Sequence, residues 1–284
     1  MKYIKIHFPL ILFATFLGMS LLSPGYLPAA GEWTAFSNIQ FTRGNYSLEN
    51  STSTYYFSGG IRYRIHRWNL YATIPLIIQN SAVVTGVGGI VIPSMHGSTD
   101  QTGGSPHGGG MNGMMDNGTM SSMVVVLGDF YLYGEYVLFP ERAAWPFISV
   151  NLKLKVPTAG TDNNFGTGEF DYGSGITLRK SLNSYLGFID LSYWILGDPS
   201  GLNYKDTFTF GVGIGRFFAN GHYGLMLYFG SYSNILPQYE SSRQISLGFN
   251  YQVNNRMILT LTSGAGLSNT SPDFLLSGGL EWGL

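Results

Sequence analysis

Residues 95–123 gather eight side chains that a soft metal ion would choose. Met95, His96, His107, Met111, Met114, Met115, Met120 and Met123 take up six of the ten methionines and two of the five histidines. Thioether sulfur and imidazole nitrogen select Cu(I), and by the same softness Ag(I), over harder ions. The chain has no cysteine, so disulfides, thiolate sites and cysteine nucleophiles are excluded. Glycine and serine fill the gaps between the methionines. The stretch therefore also reads as a low-complexity loop, or as a plug in which methionine is an adaptable contact residue.

Enzyme chemistry would need a nucleophile with a general base held beside it. Beyond the first thirty residues the histidines are His66, His96, His107 and His222. Two belong to the methionine-rich stretch, and His66 and His222 stand at or beside short turns. No nucleophile elbow, zinc-protease or phosphate-loop pattern occurs. The expectation is a non-enzyme without a cofactor.

A third set is defined by its spacing. Arg62, Arg64, Asp129, Glu135, Lys153, Lys155, Asp171, Arg179, Asp190 and Glu281 fall on the polar parity of alternating segments. Five are basic and five acidic, so they make no single-sign ring and no strong ion-selecting field. They would either pair with one another or line a path. Tyr71, Tyr131, Tyr133, Phe147, Phe188, Trp194, Met226 and Tyr228 share that inward parity. An aromatic lining suits an aromatic or apolar solute, by stacking and area burial, and suits plain interior packing equally well. Gly173 and Gly175, and Gly211, Gly213 and Gly215, also point inward; they make room for a solute, for a bend, or for a neighbouring tyrosine.

The elements that must position these residues are written in twos. Ile148, Val150, Leu152, Leu154 and Val156 alternate with Ser149, Asn151, Lys153 and Lys155, which is a strand with one apolar and one polar face. Twelve such segments follow, near 33–42, 53–65, 67–80, 124–139, 145–157, 169–180, 184–197, 206–218, 222–235, 243–253, 256–268 and 274–284. Many reach the ~9–11 residues a tilted strand needs to cross a bilayer. The connections between them alternate between long and short, the longest being 81–123. That is the loop asymmetry of an outer-membrane barrel, and an even strand count leaves both termini in the periplasm. In lipid every backbone N–H and C=O must be satisfied within the protein, so strands can span only as a closed barrel. The expected fold is all-β, a transmembrane antiparallel up-and-down barrel of about twelve strands, monomeric or weakly oligomeric.

Composition agrees. Charged residues are only 11% of the 284, against 39 glycines, 19 tyrosines and 19 phenylalanines; charge is scarce because lipid-facing positions exclude it. The net charge of −1 gives no steering toward nucleic acid. Residues 1–30 form a basic start, an apolar run over Phe8–Leu22 and small residues up to Ala30, the pattern of a secretory signal peptide. The barrel is expected over 31–284, in a Gram-negative outer membrane, with outer-membrane lipid as its surroundings. Trp33, Trp68, Trp145, Trp194 and Trp282, with Tyr55, Phe218, Tyr223 and Tyr251, stand near strand ends as a headgroup-level belt would. The last strand, Phe274 to Leu284, resembles the carboxy-terminal strand recognised by the barrel-assembly machinery, although it ends in Leu rather than Phe or Trp.

Several stretches in order resemble one family. They are Gly128-Asp129-Phe130-Tyr131-Leu132-Tyr133-Gly134-Glu135-Tyr136, Lys155-Val156-Pro157-Thr158-Ala159-Gly160-Thr161, Phe165-Gly166-Thr167-Gly168 with Asp171-Tyr172-Gly173, Leu196-Gly197-Asp198-Pro199, and Gly211-Val212-Gly213-Ile214-Gly215. The order is similar to the outer-membrane family named for the meta-pathway of phenol degradation. The resemblance implies a barrel that moves small, hydrophobic compounds, and supplies no binding residues. The 81–123 insertion departs from that pattern. Together these readings predict passive passage of a small, hydrophobic or aromatic solute. A surface barrel whose loops bind partners, and a copper- or silver-handling protein acting through the Met–His stretch, remain as alternatives.

Overall fold

The computed structural model describes residues 30–44, 51–79, 84–87, 90–93, 124–159, 166–199, 203–236 and 239–284. The expected signal peptide up to residue 29 lies outside them, as does the whole Met–His cluster.

Alternation of side chains across each strand produces fifteen of them, in chain order β1 (Glu32–Gly44), β2 (Thr52–Ile65), β3 (Trp68–Gln79), β4 (Val84–Val87), β5 (Ile90–Pro93), β6 (Val124–Leu127), β7 (Phe130–Phe139), β8 (Phe147–Val156), β9 (Asp171–Leu182), β10 (Tyr185–Ile195), β11 (Thr207–Phe218), β12 (Tyr223–Tyr232), β13 (Ser242–Asn254), β14 (Met257–Gly266) and β15 (Phe274–Gly283). β4 and β5 form a separate two-stranded ribbon, so the expected 81–123 loop carries regular structure of its own. The remaining strands make one antiparallel sheet in which neighbours in sequence pair, except that β6 and β7 both pair with β3. β1 pairs with both β2 and β15, which closes the sheet into a barrel.

β6 and β7 together make one wall strand against β3, giving twelve around the barrel. The interruption has a local cause on the partner strand. Leu76 opposes Leu127 while Thr73 opposes Tyr131, a one-residue shift in register. Pro75 stands at the shift and has no N–H to give. The Gly128 N–H instead donates to the Pro75 carbonyl at 2.7 Å, and a Cβ on Gly128 would come within 2.7 Å of the proline ring. The result is a β-bulge that only glycine fits.

The short connections cluster at one mouth and the long ones at the other. Two short turns place a residue in the left-handed region, His66 at φ 50° and Asn183 at φ 55°. Outward residues form an apolar band, with Leu152 62%, Ile214 57% and Leu261 52% exposed, which is stable only against lipid. Aromatic rings flank the band. At the short-turn mouth Trp33 lies tilted against Tyr63 with ring centres 4.4 Å apart and Trp68 against Tyr136 at 4.8 Å, beside exposed Trp145 and Trp282. Toward the long loops stand Phe41 with Tyr55, and Phe170 with Tyr172. These are the two girdles of a bilayer-spanning barrel. Trp194 corrects the belt expectation: it is 3% exposed and points into the barrel. Strand parity places it there, and proximity to a strand end does not override parity.

Candidate functional site

Parity sends the same face of every strand inward, so the interior lining is fixed by register. It divides into three sectors by chemistry.

The first sector, on β7 to β10, is charged and tied together. Lys155 is fully buried; its Nζ lies 2.9 Å from Asp171 and 3.4 Å from Asp129, and donates to Thr167 at 2.8 Å. The two carboxylates also receive loop backbone. Asp129 accepts the Ala159 N–H at 2.9 Å, and Asp171 accepts the Gly197 N–H at 3.0 Å. This triad therefore fastens two long connections across the mouth. Deeper in, Lys153 donates to Ser192 at 2.7 Å and lies 5.6 Å from the Trp194 ring centre. Asp190 accepts from Thr177 at 2.7 Å, and Asn151 donates to the same threonine hydroxyl at 2.8 Å. Glu135 accepts from Asn69 at 3.0 Å and Ser149 at 2.7 Å. Arg179 sits 4.1 Å over the Phe147 ring.

The second sector, on β9 to β12, pairs glycine with aromatic rings. A Cβ on Gly173 would meet the Trp194 ring at 2.8 Å, on Gly211 the Tyr228 hydroxyl at 2.4 Å, and on Gly213 the Phe188 ring at 2.3 Å. These three glycines are thus seats for the rings of an adjacent strand. Phe188 and Tyr228 stack with centres 5.8 Å apart and planes at 13°. With Leu186, Trp194, Met226 and Tyr232 they belong to one buried cluster, joined by Leu196, Tyr204, Ile235 and Leu236 from the long-loop end and by Leu275 of β15. Tyr131 and Tyr133 on β7 stack alongside at 6.2 Å. Burial of the Tyr204 hydroxyl, with the carboxylates of Asp171 and Asp198 adding to it, pushes its pKa up.

The third sector runs from β13 through β15 and β1 to β3. Its buried polar residues are amides and hydroxyls, among them Asn38, Gln40, Thr42, Thr54, Ser58, Gln79, Gln244, Ser246, Thr260, Thr262 and Ser277. Asn38 donates to Ser277 at 2.8 Å. A charged pair bounds this sector toward the short-turn mouth. Arg62 grips Glu281 through two nitrogens, both at 2.9 Å, and donates to Thr34 at 3.2 Å. Its guanidinium also lies 6.0 Å from the Tyr71 ring centre.

Below that pair a cavity of about 1160 Å³ occupies the short-turn mouth, lined by Arg62, Arg64, Glu281, Asn250, Gln252 and His222 among others. Its size is at or above the upper end of small-molecule sites.

The structure thus brings Lys155, Asp129 and Asp171 together, and separately Arg62 and Glu281. It places Arg64 in the cavity wall. Tyr71, Tyr131, Trp194 and Tyr228 are buried inside the barrel, and Tyr133 is partly buried there. His66 and His222 sit in short turns, where the His222 ring contacts its own turn at the Ala219 carbonyl, 2.9 Å away. Met95, His96, His107, Met111, Met114, Met115, Met120 and Met123 are outside the described residues. Among those described, no three of His, Asp and Glu gather as metal ligands would. Sequence reasoning singled out charges and rings as lining candidates and named none of the third sector's amides and hydroxyls among them. Its signal was present: Thr34, Asn38, Gln40 and Thr42 are spaced in twos on one face of the first strand.

No family model matches the chain, and no curated protein does. Several solved structures align with it. The KdgM porin in complex with disordered oligogalacturonate is 7% identical over 89% of this chain and 98% of its own, with a TM-score of 0.45. The CymD monoaromatic hydrocarbon channel is 8% identical over 91% and 89%, also at 0.45. The outer membrane phospholipase A from Escherichia coli is 9% identical over 87% and 89%, at 0.40.

Proposed function

We propose that this chain is a bacterial outer-membrane channel for the passive passage of a small solute with an apolar or aromatic face. The observation that carries the reading is a closed, lipid-clad barrel whose interior holds a cavity of about 1160 Å³ at one mouth and a stacked aromatic wall above it. Solute enters past the long loops, slides along the rings of the second sector, and leaves through the short-turn cavity into the periplasm. The charges do not select ions: the best-defined ones, Lys155 with its two carboxylates and Arg62 with Glu281, neutralise one another. The ordered motifs that resemble the phenol meta-pathway family support the same reading. Purified protein in liposomes tests it, by conductance and by uptake of small neutral solutes. A barrel that passes no solute under any condition defeats the proposal and leaves a surface protein whose loops bind partners.

A further inference from the structure

The interior wall of β1 to β3 carries polar atoms to which no described residue hydrogen-bonds. Gln40 is 1% exposed, Thr42 0%, Thr54 1%, Tyr56 5% and Gln79 0%. Both polar atoms of each glutamine side chain, the two threonine hydroxyls and the tyrosine hydroxyl are buried without a hydrogen-bond partner among the described residues. They form one patch, because register sets them side by side. Gln40 opposes Tyr56, Thr42 opposes Thr54, and Thr54 opposes Gln79, and directly opposed side chains stand about 5 Å apart. Buried polar groups are ordinarily paired, and the charged sector of this same interior leaves only single atoms bare, one oxygen each on Asp190 and Asn69. A run of seven such atoms on three adjacent strands points to a ligand that completes them.

The chemistry of that ligand follows from the patch. No charged side chain faces inward on β1 to β3 above Arg62, so these strands offer an ion no counter-charge to offset the loss of its water. The amides offer both donor and acceptor, and the hydroxyls do the same, which matches a solute rich in hydroxyl groups. A pure hydrocarbon would leave all seven atoms bare. Across the barrel, β2 and β11 stand six strands apart in the closed order. The patch therefore looks toward the stacked rings of β10 to β12. A solute between them meets hydroxyl-matching groups on one side and aromatic faces on the other.

We infer that Gln40, Thr42, Thr54, Tyr56 and Gln79 form a binding subsite for a small neutral, polyhydroxylated solute with an apolar C–H face. This rests on the passage reading above and names its substrate class. The test uses the mature protein in liposomes, with arabinose entry measured by swelling and potassium chloride conductance measured on the same preparation. The double substitution Gln40→Met and Gln79→Met keeps side-chain volume and removes both amides. Arabinose entry relative to salt conductance should fall roughly three- to tenfold, what one or two lost hydrogen bonds are worth. Heat-modified gel mobility reports whether the barrel is folded, and Thr54→Val gives a near-isosteric second variant if the double substitution is not. An unchanged arabinose-to-salt ratio in a folded variant overturns the subsite and leaves the channel standing. No flux of either probe through the unsubstituted barrel overturns the channel itself.

Discussion

Lys155→Met removes the one cation that two buried carboxylates share. At an effective dielectric of about 20, attractions across 2.9 Å and 3.4 Å come to roughly 6 and 5 kcal/mol. Desolvation of three ionised groups offsets most of that, so the intact triad adds little net stability. The single substitution is different, because it leaves Asp129 and Asp171 charged, adjacent and nearly solvent-free. Breaking a buried pair in this way costs about 3–5 kcal/mol. Both carboxylates also hold loop backbone, at Ala159 and Gly197, so the long-loop mouth should loosen and conductance rise. The triple variant Lys155→Met, Asp129→Asn, Asp171→Asn keeps acceptors for both N–H groups and removes the stranded charge. It should recover most of the lost stability. Urea unfolding of the purified barrel in lipid measures both. A single variant within about 1 kcal/mol of the parent, or a triple variant no better than the single, refutes the idea that Lys155 neutralises a buried pair.

Gly213→Ala puts a Cβ 2.3 Å from the Phe188 ring, whereas a Cβ on Gly59 meets nothing within 4 Å. The first should lose about 1–3 kcal/mol in denaturant unfolding and the second should stay near the parent. Ile214→Lys places a charge on the lipid band between the girdles and should cost about 2–4 kcal/mol, read from folding into liposomes; an unaffected variant would mean that this face does not meet lipid. A peptide spanning residues 95–123 should bind Cu(I) in anaerobic calorimetry if its thioethers and imidazoles act as soft ligands, and a flat titration removes metal handling from consideration.

Much of the barrel was legible because strand periodicity is local. Ser149 to Lys155 and Gln244 to Gln252 declare their inward face without any partner. What stayed hidden depends on pairs of strands. The break after β6 comes from Pro75, some fifty residues earlier on the neighbouring strand. Glycine 211 looks like space for a solute until register sets Tyr228 against it. Trp194 satisfied two sequence rules that pointed opposite ways, and the stiffer one, alternation, decided its side. The amide and hydroxyl sector was missed for a related reason. Gln40, Thr54 and Gln79 are ordinary residues one at a time, and become a patch only when three strands are laid in register. The pairing of Lys155 was foreseeable only as one of two outcomes for an evenly charged lining.

The seam between β1 and β15 has a kinetic meaning. Apart from β3 with β6 and β7, the other wall contacts join strands that follow one another along the chain, but Thr34 opposes Gly283 and Arg43 opposes Phe274. That ladder brings together residues separated by nearly the whole length of the barrel, so its loop-closure entropy is met only at the end. Until then β1 and β15 are both open edges, each a template for the wrong partner. A chain lacking its last ten residues would keep eleven wall strands and still have no closed state. The point at which the barrel loses its open edges is therefore set by its final strand.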